Sequence, residues 1–496
     1  MIIILEETKI YLKCIRCKRK FPPEIYYRRC PVCSGPLIVE LNFDRINITK
    51  DQFPVRDRYD IWRYGQLLPI SDENKIVSLK EGWTPLIESK RLYKKIGIKH
   101  LYLKDETRNP SGSFLDRGVS VDVSIALESG YNSLTCGSTG NLAASVAAYA
   151  ARAGVRAHIY VPRKIDIGKL YQIAIYGADI YLVNNFEEAL RRSEMLFLES
   201  YVVSTSNPWY LEGVKTTGLE IAEQFSFELP DYIVLAAGSG AHLVMTYKAF
   251  NELKNFDFID EINTRFIAVQ AKNTDPITKA FEMNLDHVEP IYTDKETIAS
   301  DIAISNPIFG DEVIKIAKKT LGKVISVPDN EIIEALSELA KYEGILAEPS
   351  AATSLAGLKR LINEGYILPS EKIVLVVTGA GLKHPKAIRD TVSKVETLKK
   401  ILSIVEDGFK KLSRLGSTKI RILQAISEGN TYGYAIWKSI KNKFNINIGL
   451  PTLYQHLKEL ERMGFITVIS QEVIDGRKSI HYALTGKGRK IVEDFT

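Results

Sequence analysis

Asn109-Pro110-Ser111-Gly112-Ser113-Phe114-Leu115-Asp116-Arg117-Gly118 follows a short apolar strand, Leu101-Tyr102-Leu103, and the pair Lys104-Asp105. Pro110 and Gly112 mark a turn, and a helix is predicted from near Asp116. Ser111, Ser113 and the free backbone N–H groups of the turn can face an anion at that helix start. By itself this is ordinary loop chemistry; the surroundings give it weight. From Ile76 to about Lys394 short apolar strands alternate with amphipathic helices. The strands are His158–Val161, Ile180–Val183, Tyr232–Ala236, Phe266–Gln270 and Ile373–Val377, separated by helices such as Asn141–Arg152 and Ile332–Tyr342. Alternation at this spacing predicts an α/β architecture with a largely parallel sheet.

Two loops in this region suit anions. Thr135-Cys136-Gly137-Ser138-Thr139-Gly140-Asn141 links a strand to a helix and offers backbone donors to a carboxylate. Cys136 reads as a small buried residue. Ala237-Gly238-Ser239-Gly240-Ala241-His242 follows a strand and opens a predicted helix over Leu243–Leu253, the order of a phosphate cradle. His242 either donates to an anion or packs at the helix start.

In this order the segments resemble the threonine synthases, in the β family of pyridoxal-phosphate (PLP) enzymes, also called fold type II or the tryptophan synthase β family. That family reads N-P-T-G-S-F-K-D-R-G where this chain has Asn109 to Gly118, and Leu115 occupies the Schiff-base lysine position. Glu81-Gly82-Trp83-Thr84-Pro85-Leu86 is similar to its E-G-x-T-P-L. Asn207-Pro208 with Glu212-Gly213-Val214-Lys215-Thr216 is similar to its N-P-x(3)-E-G-x-K-T. Glu348-Pro349-Ser350-Ala351-Ala352 and Thr378-Gly379-Ala380-Gly381-Leu382-Lys383 resemble its E-P-[AS]-[SG]-A and T-G-x-G-L-K.

The resemblance implies two α/β subdomains and a set of site residues. Asn141 would contact the phenolic oxygen of PLP, and Thr378 would face its pyridine nitrogen. Gly238, Ser239, Gly240, Ala241 and His242 would hold its phosphate, although the family's loop is usually richer in glycine and often ends in asparagine. Ser138, Thr139 and Gly140 would receive a ligand carboxylate, with Ser111, Ser113 and Lys215 completing the ligand set. The family's lysine holds the cofactor, exchanges with the substrate amine and moves protons. Leucine has no nucleophile and no titratable group, so no catalytic residue is assigned. Lys104, ten residues upstream, is not expected to reach the same point, and chemistry would need another lysine, such as Lys215, to swing in. The pocket is expected to hold PLP non-covalently, an amino-acid adduct of PLP, or a phosphorylated amino acid such as O-phosphohomoserine.

Four of the five cysteines form two pairs, Cys14-Ile15-Arg16-Cys17 and Cys30-Pro31-Val32-Cys33. Two such turns can close a tetrahedral thiolate cage suited to structural zinc, and with Phe21, Tyr26, Tyr27 and Gly35 they predict a zinc ribbon. The alternative is a disulfide staple or free thiols, and a cytoplasmic setting argues against the disulfide. Some threonine synthases resemble the chain here too. A cytoplasmic location is expected because Met1 to Glu7 has neither a basic flank nor a small-residue cleavage site. No membrane span is expected either, since the best apolar run, Leu142 to Ala153, is short and interrupted by Ser145 and Arg152.

Charge is uneven. Residues 399–496 hold 17 Lys and Arg against 9 Asp and Glu, a net of +8, whereas the whole chain of 496 residues is at +6. A polyanion partner is indicated for that end. Helical stretches Leu398–Leu412, Ser417–Ser427 and Tyr432–Phe444 precede Thr452 to Gly464. There Pro451 suits a helix start, Gly464 suits its end, and Leu453, Leu457 and Leu460 share one face. A hairpin, Thr467–Ile474 and Ile480–Leu484, turns through Asp475-Gly476-Arg477-Lys478, giving a winged helix-turn-helix. This tail resembles the PadR family of transcription regulators in Gly433-Tyr434-Ala435-Ile436, in Thr452 to Gly464 and in Tyr482-Ala483-Leu484-Thr485. That resemblance implies Thr452, Tyr454, Gln455 and Lys458 in the major groove of double-stranded DNA. Arg477 and Lys478 would lie on phosphates or in the minor groove, and a homodimer on two half-sites is expected. Winged helices also dock proteins, and the charge favours DNA.

The expected organisation is a zinc-ribbon-like module (1–42), a connecting segment (43–75) that packs on the next domain, a threonine synthase-like PLP-fold domain (76–395) and a PadR-like winged helix (396–496). The expected function is a metabolite-sensing, DNA-binding regulator of transcription in amino-acid metabolism, built on a catalytically impaired PLP fold. One alternative is an active PLP-dependent threonine synthase (O-phosphohomoserine phospho-lyase) or related lyase with an accessory DNA-binding tail. A third reading is an inactive scaffold for an active paralogue.

Overall fold

The computed structural model describes residues 8–392, 415–474 and 477–493, and the chain divides into two compact units, residues 1–391 and 392–496. In the first unit, runs rich in Val and Ile form two sheets. The larger has six strands in the order Lys323–Val327, Arg265–Ala271, Tyr232–Ala236, Lys372–Val377, His100–Asp105, Leu86–Glu88, parallel except for the last. The smaller has four parallel strands in the order Asp179–Val183, Arg156–Pro162, Ser133–Gly137, Tyr201–Val202. Tyr232–Ala236 is buried at every position, as a central parallel strand covered by helices on both faces must be. The predicted strands all form, with ends shifted by one or two residues. The predicted helix Ile332–Tyr342 is Asp329–Glu338 followed by a wider turn, Leu339–Glu343, closed by Gly344. The carboxyl ends of Ser133–Gly137, Tyr232–Ala236 and Lys372–Val377 open on one cavity, the usual position for a ligand in parallel α/β sheets.

Cys14 to Leu41 adds a three-stranded antiparallel sheet in the order Lys20–Phe21, Ile10–Cys14, Leu37–Leu41. Its Leu12, Leu37 and Val39 are buried in the same hydrophobic cluster as Trp62, Tyr64 and Val119. The segment that follows is packed, as its aromatic content suggested. Phe43 meets Phe256 edge-on at 5.1 Å, Phe53 meets Phe258 at 5.3 Å, and Trp62 Nε1 donates to Ser120 Oγ at 3.0 Å.

Asp122 ties the helix Leu115–Glu128 to the smaller sheet, accepting from Tyr201 Oη at 2.6 Å and Asn207 Nδ2 at 3.1 Å. Burial pushes its carboxyl up to about 7. A carboxyl raised in the folded state stabilises the fold below its unfolded pKa near 4, and that contribution is lost as pH rises to its folded value. Asp122→Asn should therefore change the stability difference from wild type by about 1.4 kcal/mol per pH unit between roughly pH 4 and 7. Outside that window the difference should be flat. Urea denaturation at a series of pH values measures it; a pH-independent difference contradicts it.

In the second unit a helix over residues 415–427 packs with Gly433–Phe444 and Leu450–Arg462. A hairpin, Ile466–Ile474 and Arg477–Leu484, and a last helix, Gly486–Glu493, follow. Leu453, Leu457 and Leu460 are fully buried beside Ile436 and Ile440, the face their spacing predicted. The predicted helix Leu398–Leu412 and the turn residues Asp475 and Gly476 lie outside the described residues, as do the side chains of Arg477 and Lys478 and the segment Met1 to Glu7. No described helix is long and apolar enough to cross a membrane.

Candidate functional site

The turn before Leu115 is held by a buried polar frame. Asp116 accepts from the Ser111 backbone N–H and Oγ, both at 2.6 Å, and from Ser145 Oγ at 2.5 Å. Arg117 is fully buried and donates to Glu106 at 2.7 and 2.8 Å and to Glu220 at 2.5 and 2.8 Å. Lys104 Nζ enters the same knot, donating to Thr84 O and Glu220 at 2.7 Å and to Gln224 at 2.9 Å. Burial raises the Glu220 carboxyl, but Arg117 and Lys104 outweigh it and bring the group down to about 2. A satisfied network of this kind is rigid. Leu115, the first residue of the helix, is therefore placed by its neighbours, and its side chain forms part of the cavity wall.

That cavity measures about 170 Å³, over ten times the ~10–15 Å³ that one water needs. Ser113, Ser138, Thr139 and Asn141 line one side. Gly238, Ser239, Gly240, Ala241 and His242 line the other, with Thr378 between the two. Both loops need glycine where they start their helices. Gly140 has φ +142° and a Cβ there would lie 2.4 Å from Lys169 Cδ; Gly240 has φ +87° and its Cβ would lie 2.6 Å from Val313 Cγ2. The two helix starts differ. Ser138 Oγ already accepts from Gly140 N at 2.9 Å and Ala143 N at 3.2 Å. No side chain caps the Ala241–Asn255 helix beyond a long 3.4 Å contact from Ala241 N to Ser239 Oγ, so its N–H groups remain available to an anion. His242 stacks on Phe114 with ring centroids 4.1 Å apart, and burial brings its imidazole down to about 4, so it is neutral. It is a packed residue with one free nitrogen, Nδ1, rather than a cation.

Two expected ligand residues are not in the wall. Ser111 is held by Asp116, and its carbonyl accepts from Gln172 Nε2 at 3.0 Å and Lys383 Nζ at 2.8 Å. Lys215 cannot swing in. Its buried ammonium is held by Glu212, by Glu252 at 2.9 Å and by the carbonyl of Leu67 at 2.9 Å, and breaking a buried ion pair costs about 3–5 kcal/mol. Gly140 contributes its backbone turn but no wall surface. Among the described residues no lysine lines the cavity.

Sequence reading missed a charged cluster at the cavity's edge. Asp301 pairs with Lys169 Nζ at 2.6 Å and His384 Nε2 at 2.7 Å, and Glu348 Oε2 accepts from Asn141 Nδ2 at 2.9 Å. Lys169 lies on the helix after the smaller sheet's strand Arg156–Pro162, whereas Asp301 and His384 belong to the larger subdomain. Burial raises the Asp301 carboxyl, but Lys169 and His384 hold it well below the usual range; burial and then Asp301 push Glu348 up. Glu348 and Ser350 stood within a segment already singled out. Asp301 and Lys169 carried no local signal.

The four cysteines are free and converge, with Cys14 Sγ 3.5 Å from Cys33 Sγ and Cys17 Sγ 3.6 Å from Cys30 Sγ. All four sulfurs lie within 4.8 Å of one another, a set that could hold a metal ion. A tetrahedron of Zn–S bonds near 2.3 Å has edges of about 3.8 Å, which these separations approach.

In the second unit Pro451 starts the helix that carries Thr452, Tyr454, Gln455 and Lys458, all exposed on the side opposite Leu453 and Leu457. Pro451, Tyr454, Gln455, Lys458, Glu459 and Arg462 line a shallow surface groove. Tyr454 also closes against Gly433, where a Cβ would lie 2.5 Å from its hydroxyl oxygen.

Residues 77–379 match the family described as pyridoxal-phosphate dependent enzyme, and residues 422–494 match the transcriptional regulator PadR-like family. Threonine synthase of Methanocaldococcus jannaschii is 39% identical over 380 residues, covering 76% of this chain and 93% of that protein. Threonine synthase of Methanosarcina acetivorans is 37% identical over 384 residues, covering 77% and 94%. Among solved structures, threonine deaminase isoform 2 of Solanum lycopersicum superposes with TM-score 0.53 at 20% identity, covering 64% of this chain and 83% of its own. An L-serine ammonia-lyase of Rhizomucor miehei superposes with TM-score 0.53 at 24% identity, covering 60% and 93%. At that identity these two speak for the fold alone.

Proposed function

The chain belongs to the pyridoxal-phosphate-dependent enzyme family, among the threonine synthases, and carries a PadR-like domain; from that premise we propose that it is a metabolite-sensing, DNA-binding regulator rather than a synthase. The observation that carries this reading is a ligand cavity with an intact frame, a leucine at the reactive position and no lysine in its wall among the described residues.

PLP, when bound in this family, supplies an electron sink for carbanion chemistry. The open helix start at Ala241 suits its phosphate, and Thr378 and Asn141 flank the place for its ring. The covalent anchor does not fit, because Leu115 offers no nitrogen and Lys104, Lys169, Lys215 and Lys383 are each committed elsewhere. The site is therefore assigned reversible binding. The backbone N–H groups at Gly238–His242 take the anion, the Ser138–Asn141 turn orients the opposite end, and Leu115 excludes water from the middle. Structural zinc in the cysteine cage completes the first unit.

Ligand binding alters DNA affinity only through its differential affinity for two states of the chain. In this reading a homodimer places two winged helices on two half-sites, and ligand-linked closure of the cleft shifts their spacing. Thr452, Tyr454, Gln455 and Lys458 read the major groove, with Arg477 and Lys478 on the backbone or in the minor groove. Gel shifts and genomic footprinting test this at low salt. Gln455→Ala should cost about 1–3 kcal/mol on a specific site and little on random DNA. Lys458→Ala should weaken both and, as a phosphate contact, reduce the slope of affinity against salt by about one. Absence of any DNA binding at low salt ends the regulator reading. Co-purification with an active paralogue would then favour a scaffold, and turnover of O-phosphohomoserine a synthase.

A further inference from the structure

We propose that the cavity selects phosphate esters that carry a free, protonated primary amine, with the ammonium group held between Glu348, Asn141 Oδ1 and Ser350 Oγ. This rests on reading the cleft as a non-covalent ligand site. It adds what the ligand must present there.

Two charged side chains, Asp301 and Glu348, line the cavity, and among the described residues neither a lysine nor an arginine does. Asp301 already has its cations, Lys169 at 2.6 Å and His384 at 2.7 Å. Glu348 is less well supplied: its ion-pair partner is His384 Nε2 at 3.6 Å, a nitrogen that sits closer to Asp301. Its remaining support is Asn141 Nδ2 at 2.9 Å. An ionised carboxylate only accepts, so the amide nitrogen of Asn141 must turn toward it, leaving Oδ1 to accept from something else. That oxygen is buried with no partner, and so is Ser350 Oγ. Both residues are at most 5% exposed and both line the cavity. Buried polar atoms are hydrogen-bonded in native structures, and an orphaned pair beside an under-supplied carboxylate describes a missing donor of positive charge.

A primary ammonium supplies three N–H donors and one positive charge. A PLP aldehyde or phenolate supplies acceptors only, which leaves Asn141 Oδ1 and Glu348 facing further acceptors. The opposite end of the ligand is set by the uncapped helix start at Gly238–His242, which favours an anion. With leucine at position 115 nothing in the wall converts the ligand's amine into a covalent link, so it stays free and charged. Pyridoxamine 5′-phosphate and an O-phosphorylated amino acid share this chemistry.

The test is calorimetric titration of the full-length chain with matched pairs. Pyridoxamine 5′-phosphate is compared with pyridoxine 5′-phosphate, in which a hydroxyl replaces the amine and which cannot react with surface lysines, and with PLP itself. O-phospho-L-homoserine is compared with its deaminated analogue, 4-phosphooxybutyrate. At least tenfold tighter binding of the amine member in one pair or the other supports the proposal, and the pair showing it identifies the source. Glu348→Gln and, independently, Ser350→Ala should shrink that ratio while leaving the amine-free member nearly unchanged. Equal affinity within both pairs, preference for the amine-free members, or no binding of any probe overturns it, as does a full ratio retained in both variants. DNA plays no part in this titration. A chain that selects amines but ignores DNA loses the regulator role and keeps this inference; one that binds DNA without selecting amines does the reverse.

Discussion

Leu115→Lys should turn a chain that binds PLP only reversibly into one that retains it in stoichiometric amount. The variant is expected to keep the cofactor through gel filtration, to show visible absorbance, and to yield a phosphopyridoxyl group on residue 115 after borohydride reduction. Wild type treated in the same way should carry no label in the cavity. The prediction is large because the surroundings are already built. Asp116 and Arg117 fix the turn through buried bonds, and residue 115 sits on the wall beside Ser113 and within reach of the same space as Asn141 and Thr378. Adding side-chain length at a half-buried position costs about 1–3 kcal/mol through overpacking, which a stable unit absorbs. The amine to watch in wild type is Lys383. Burial lowers it to about 8 despite Asp116 and Glu348, so its neutral form is accessible near neutral pH. It does not line the cavity and donates to the Ser111 carbonyl. PLP recovered on Lys383 of the unmodified protein, with turnover of a phosphorylated amino acid, would replace the sensor by an enzyme.

Cys14→Ser, or removal of metal by a chelator, should destabilise the whole first unit and not merely its first forty residues. The strands Ile10–Cys14 and Leu37–Leu41 put Leu12, Leu37 and Val39 into the cluster that also buries Trp62, Tyr64 and Val119. A loosened cage therefore opens part of a common core. The expected loss is on the order of 4–5 kcal/mol, read from urea denaturation. Elemental analysis should find zinc in wild type and none in Cys14→Ser. The second unit has its own core around Leu423, Ile436 and Leu457, and its unfolding should not move. Equal stability of the first unit with and without metal would contradict a structural ion.

The sequence by itself determined the elements and their kind. Tyr232–Ala236 is a central strand because five consecutive apolar residues suit burial on both faces, and Leu453, Leu457 and Leu460 define a buried helix face by spacing alone. The helix-starting loops at Asn141 and Ala241 were legible for the same reason, since glycine at positive φ and the following helix are local properties. The leucine at 115 needed no structure to be seen. Tertiary structure decided what meets what. Lys215 looked available in the chain, yet it is locked by Glu252, thirty-seven residues on, whereas Asn141 finds Glu348 at a separation of 207 residues. Lys169, Asp301 and His384 come together from both subdomains with no pattern around them to announce it. Short-range sterics and hydrophobic period are written residue by residue, but the pairing of buried charges depends on how two sheets close on each other, and only the assembled fold contains that distance.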